Sequence, residues 1–171
     1  MKMNSIEATK IISSVWKILH RHHRYSKYLQ LPHEWGERAF RGWLIYEIFC
    51  LLLAWPIENV VFGEQFDVLL VDNEVKPRVY VETKRPGIGL VGINHFKQRV
   101  EIYKTLRYGV LSDGYQWLRY DIFTEQTIQR DIRKENNWED FFHPLHAKNF
   151  IYGCLLYTSD AADELDGVDL G

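Results

Sequence analysis

The stretch that most constrains this chain is FDVLLVDNEVKPRVYVETKRPG, residues 66–87. Two apolar, β-favouring runs, FDVLLV and RVYVET, flank the polar turn DNEVKP, the pattern of an antiparallel hairpin. Side chains alternate along a strand, so Glu82 and Lys84 share one face while Val81 and Thr83 take the other. With the turn over 72–77, cross-strand partners sum to 149, and Asp67 falls directly opposite Glu82. Two opposed carboxylates cost some tenths of a kcal/mol to ~1 kcal/mol in a sheet pair. A hairpin selected for stability alone would avoid them.

Around the hairpin, the spacing of Ile11, Ile12, Val15, Ile18 and Leu19 predicts a helix over 5–30, broken by Pro32. A second, apolar core helix is expected from Glu37 to Ala54, ended by Pro56. Short β-rich runs follow: IENVVFGE, the two hairpin strands, then YGVLSDG and QWLRYDIF. GINHFKQRVEIYKTLR, with Phe96, Val100, Tyr103 and Leu106 in register, forms a helix between the two halves. The expected order is α-α-β-β-β-α-β-β with an irregular or helical end. That is a mixed α/β plan, a central sheet flanked by helices. LSDGYQW reads as a tight turn at Asp113-Gly114 with Trp117 in the core.

The chain has 171 residues and a formal charge of −2. In its end, CLLYTSDAADELDGVDLG from Cys154, the stretch Cys154 to Glu164 back-translates without forcing into a string that resembles a transposase-type sequencing-library adapter, the alternative being an ordinary acidic tail. The whole end is read as non-native and left out of the fold. That tail holds five acidic residues and no basic ones, so the 23 acidic side chains fall to 18 against 21 basic. A mildly basic protein of this kind is compatible with a polyanionic partner. The reading also implies that the gene is cut near Gly153, with further domains expected beyond it. Without the tail Cys50 is the one thiol, which suits a reducing cytoplasm. LIYEIFCLLLAW is too short for a membrane span, and Glu47 interrupts it.

A bound cation would remove the Asp67–Glu82 conflict. Two carboxylates with the Thr83 carbonyl suit a hard ion such as Mg²⁺ or Mn²⁺, and Lys84 could orient or deprotonate a water beside it. That combination suits phosphodiester hydrolysis. The plainer alternative is a solvated strand face with a Glu82–Lys84 or Asp67–Lys84 salt bridge. The basic, aromatic stretch HRHHRYSKYLQLPHEWGE could touch a phosphate backbone, although patterning alone favours a solvated helix end. His20, His22 and His23 have no Cys or acidic partner at ligand spacing, and HPLH at 143–146 has no context that assigns it a role.

Asp67, then VETKRPG, then a helix with Gln98 and Tyr103, then YGVLSDGYQWLRYD, resembles the PD-(D/E)xK nuclease superfamily. Within it, the chain looks most like the N-terminal nuclease domain of type I restriction subunits and fused restriction–modification enzymes. The likeness covers about residues 34–123. It implies a restriction-endonuclease-like fold over 34–153, preceded by an N-terminal helical extension, 1–33. It implies a Mg²⁺- or Mn²⁺-dependent deoxyribonuclease in which Asp67 bridges the metal, Glu82 is the second ligand and Lys84 the catalytic lysine. Glu37 matches an auxiliary acid, preferred over Glu47, which sits inside the apolar run. Gln98 matches a glutamine that positions the lysine or the DNA strand. The family usually spaces this Gln and a Tyr four apart. Here they are five apart, so Tyr103 reads as a core tyrosine. Phe66 replaces the proline of the family's name.

Arg85 in KRPGIG, and Lys97 and Arg99 beside Gln98, are candidate DNA-backbone contacts. The implied partners are DNA and methyltransferase, specificity or helicase domains or subunits encoded downstream. Two alternatives stand beside restriction: a catalytically silent nuclease fold that binds DNA or assembles, and a repair nuclease of the same fold.

Overall fold

The computed structural model describes residues 3–64 and 66–151; the segment from Cys154 lies outside the described residues. Asn4 opens helix α1 (Ser5–Leu29) with a reciprocal cap: its side chain accepts from the Glu7 N–H, while the Glu7 carboxylate accepts from the Asn4 N–H. Pro32 precedes α2 (His33–Leu44), which begins four residues earlier than the apolar pattern suggests. Proline lacks an N–H and presets its own φ, so a helix can start directly behind it. The helix then continues as a wider π-helical stretch, Ile45–Leu52.

Six strands form one open sheet in the spatial order β1 (Val60–Phe62), β2 (Val68–Val71), β3 (Pro77–Thr83), β4 (Tyr108–Ser112), β5 (Gln116–Asp121) and β6 (Gln126–Asp131). All neighbours are antiparallel except β3 and β4, which run parallel and are joined through α3 (Ile93–Ile102). The fold is therefore mixed α/β, with helices on both faces of a mixed sheet. A short α4 (Glu139–Phe142) follows β6.

Alternation along the strands separates two cores. Val68, Leu70, Val79, Val81, Val110 and Trp117 pack on one face beneath α1, α2, the π-helical stretch and α4. Leu69, Tyr80, Leu111 and Leu118 pack on the other against Phe96 and Val100 of α3. The face of α1 that carries Ile11, Val15, Ile18 and Leu19 belongs to the first core.

The hairpin pairs Val68 with Val81, Leu69 with Tyr80 and Leu70 with Val79, each summing to 149, before a bulge shifts Val71 onto Pro77. Gly114 turns the β4–β5 hairpin at φ 90°, and Trp117 beside it is fully buried. Two features depart from the sequence pattern. Helix α3 ends at Ile102, yet Leu106 beyond it is still buried. The sixth strand, QTIQRD, is an edge strand that is exposed or half-buried throughout, so it lacks the apolar alternation by which strands are recognised.

Candidate functional site

Antiparallel pairing brings the start of β2 and the end of β3 to the same end of the sheet. Asp67 sits one residue before the ladder begins. Its Oδ2 accepts from the Thr83 N–H at 2.8 Å and lies 3.4 Å from the Thr83 hydroxyl. The carboxylate thus continues the ladder by one rung where the backbone of β2 has stopped. Lys84, just past β3, is held by its own N–H donating to Ser112 O at 2.8 Å. The following loop is pinned where Gly89 N–H donates to Asp113 Oδ2 at 2.7 Å. Asp113 therefore does more than shape its turn.

Glu82 is the most enclosed of the candidate acids, its side chain 6 % exposed. It lies on the α3 face with Tyr80, two residues back along the strand. Tyr80 OH donates to Glu82 Oε2 at 3.1 Å, Lys84 Nζ is 2.7 Å from Oε1, and Arg99 of α3 is 3.5 Å from Oε2. Burial, reinforced by the Glu82 charge, raises the Tyr80 hydroxyl pKa well above its ordinary value, so it stays a donor. Contact with Tyr80 raises the Arg99 pKa in turn.

From the opposite layer, α2 contributes Glu37 and Arg41, one turn apart. The Arg41 guanidinium is 3.2 Å from Asp67 Oδ1 and 3.4 Å from Glu37 Oε1, and its Nε donates to Thr83 Oγ1 at 3.1 Å. Burial raises the Glu37 carboxyl pKa; Arg41 opposes this, while the charges of Asp67 and Glu82 add to it. Glu47, further along the same helix, points elsewhere and is held in a two-point pair by Arg21 at 2.6 and 3.0 Å. A polar cleft of about 650 Å³ opens beside Glu37, Arg41 and Asp67.

The opposed-carboxylate problem of the hairpin is thus met with cations: Lys84 and Arg99 on Glu82, Arg41 on Asp67. The Glu82–Lys84 bridge is the one that alternation along β3 allows. The donors on offer to an ion are all hard oxygens, and Glu37 feels the charge of both Asp67 and Glu82, so the set fits a hard divalent ion in kind. Asp67 and Glu82 would hold it, with Glu37 in support. Among the described residues, no three His, Cys, Asp or Glu side chains already converge as a metal cluster, and an ion would compete with Arg41 and Lys84 for the carboxylates.

The other candidates are placed as follows. Gln98 is exposed on α3, and its neighbour Arg99 is the side chain that reaches Glu82. Lys97 turns away, with Nζ 4.9 Å from the Tyr120 ring centre. Arg85 lies 3.1 Å from His33 Nδ1, near the start of α2. Tyr103 falls past the end of α3 and packs edge-on against Phe66 at 6.4 Å. Two participants are not singled out by the sequence reading, Arg41 and Tyr80. Both had a signal: Arg41 follows Glu37 by four on one helix face, and Tyr80 precedes Glu82 by two on one strand face.

Among the described residues, no helix is long and apolar enough to cross a membrane. No family model matches the chain, and neither a curated protein nor a solved structure matches it.

Proposed function

We propose that the domain is a divalent-metal-dependent DNA endonuclease, hydrolysing phosphodiester bonds within a cytoplasmic restriction–modification system. One observation carries the reading: Asp67, Glu82 and Lys84 lie at one end of the sheet, on a hairpin in the register that opposes the two acids, and Asp67 lines a polar cleft there. The resemblance to PD-(D/E)xK nucleases supplies the reaction. When bound, the ion would polarise the phosphate and lower the pKa of an attacking water.

The chain's own residues prepare the rest. Thr83 N–H fixes the orientation of Asp67. Tyr80 and Arg99 hold one oxygen of Glu82 and leave the other to Lys84. Lys84 Nζ, anchored within reach of that end of the sheet, can offset charge on a phosphate or orient water there. Methyltransferase, specificity or helicase partners belong to the same proposal.

A second reading, a silent nuclease fold that binds DNA, draws on a separate observation: Asp67 and Glu82 both already have a cationic partner. The test is calorimetric titration of Mn²⁺ into the chain, Asp67→Ala and Glu82→Ala, followed by cleavage of plasmid DNA. Ion binding and cleavage that vanish in both variants support the nuclease. Cleavage by Asp67→Ala at the wild-type rate would refute it, and DNA binding without ion uptake or cleavage would favour the silent fold.

A further inference from the structure

Helix α1 outlasts the core it packs on. Its buried positions are Ala8, Ile11, Val15, Ile18 and Leu19, and none follows in the remaining ten residues to Leu29. Those turns rest on α2 and the π-helical stretch after it through polar and aromatic contacts: Arg21 pairs with Glu47 and lies 5.1 Å from the Trp43 ring centre, and Tyr25 packs on Trp43 at 5.6 Å. Beyond Leu19 the helix thus continues for ~15 Å without burying a further apolar residue.

The helix is strongly basic around that stretch, although like charges such as Lys17 and Arg21 at i,i+4 do nothing for helix stability. From Ala8 to His33 there are five Lys or Arg, four His and no Asp or Glu. The helix dipole favours cations only within the last turn, which accounts for Lys27, and Glu47 accounts for Arg21, but neither accounts for Lys17 and Arg24. Lys17, His20, Arg21, Arg24, Tyr25 and Tyr28 fall at i, i+3, i+4, i+7, i+8 and i+11, so they form one stripe ~16 Å long. They line a groove of about 590 Å³. Lys17 and Arg24 are exposed and form no ion pair among the described residues. Tyr28 is 73 % exposed and Tyr25 45 %.

We infer that this stripe is a binding track for single-stranded nucleic acid, with Lys17 and Arg24 on its phosphates and Tyr25 and Tyr28 as stacking platforms. Cations alone would suit any polyanion. The exposed tyrosines select a strand with free bases, because a duplex keeps its base faces stacked inside. The inference does not depend on the hairpin chemistry, since the stripe lies on α1 and none of its residues contributes to the Asp67–Glu82 cluster.

The test is fluorescence anisotropy on the whole chain with a labelled single-stranded oligonucleotide and its duplex, in chelator so that hydrolysis plays no part. The single strand is expected to bind more tightly. Its affinity should fall with salt along a slope that the double substitution Lys17→Gln and Arg24→Gln reduces by about 1.4, two phosphates' worth. Tyr28→Ala should weaken single-strand binding about tenfold and leave duplex binding unchanged. All three positions are exposed, so these variants keep the fold, checked by circular dichroism. Tighter binding of the duplex, an unchanged salt slope in the double variant, or no binding of either oligonucleotide would overturn the inference. Because no metal is present, failure here leaves the nuclease reading to its own test.

Discussion

Lys84 Nζ lies 2.7 Å from Glu82 Oε1, yet the two ends of this pair have different surroundings: the Glu82 side chain is 6 % exposed and that of Lys84 29 %. Removing Lys84 leaves a carboxylate inside the protein with Tyr80 and a longer contact to Arg99. Removing Glu82 leaves an ammonium that can still reach water. Lys84→Ala is therefore expected to cost about 1–3 kcal/mol in urea unfolding. Adding Glu82→Gln to it should recover part of that loss. Wild-type stability in Lys84→Ala would show that Tyr80 and Arg99 satisfy Glu82 unaided.

Glu37 gives the site a pH signature. Burial raises its carboxyl pKa in the folded protein, with Asp67 and Glu82 adding to the shift against Arg41 and Lys84. The folded state then holds the Glu37 proton more tightly than the unfolded chain. Stability from this group is full below the ordinary carboxylate range and is lost as pH rises through the raised value. Glu37→Gln abolishes that loss. The melting temperature of Glu37→Gln minus that of the wild type should therefore increase between about pH 4 and about pH 7. A difference that is flat with pH would mean that Arg41 compensates Glu37 fully.

The hairpin was legible because two local rules agree on it. Alternation assigns the faces, and the turn assigns the register, so Asp67 can be set opposite Glu82 from the string of letters. Contacts between distant elements obey no such rule. Arg41 meets Asp67 only because α2 crosses the end of the sheet. On α3 each residue turns the helix by about 100°. Burial of Phe96 and Val100 therefore decides that Arg99, and not Gln98, faces Glu82. The strand Gln126–Asp131 was invisible for another reason: backbone pairing to β5 defines it, and only Ile128 among its side chains is apolar.

The segment after β6 is fastened back to the rest through Trp55. Its Nε1–H donates to Leu145 O at 2.9 Å, and its ring stacks on Phe150 at 5.5 Å. Trp55→Phe keeps most of the packing but leaves a buried carbonyl without this donor. It is expected to cost about 1–3 kcal/mol, read by thermal unfolding. Trp55→Ala should cost about 3–5 kcal/mol, because a cavity is added to the lost bond. Equal losses in the two variants would assign the whole effect to the hydrogen bond.

Gly109 sets how closely α3 approaches the sheet, and through that whether Arg99 reaches Glu82. A Cβ at position 109 would lie 2.7 Å from both Phe96 Cζ and Val100 Cγ2, inside the packed core. Gly109→Ala must therefore push α3 outward or force its side chains off their rotamers, at about 1–3 kcal/mol. Val100→Ala alone costs stability by opening a cavity. Combined with Gly109→Ala it makes room for the new methyl group. The double variant should then be more stable than the two single losses predict by addition, a coupling that urea unfolding of all four proteins measures. Strict additivity would mean that α3 lifts as a rigid body. In that case Gly109→Ala should also lower the stability lost on Arg99→Ala, because the Arg99–Glu82 contact would already be broken.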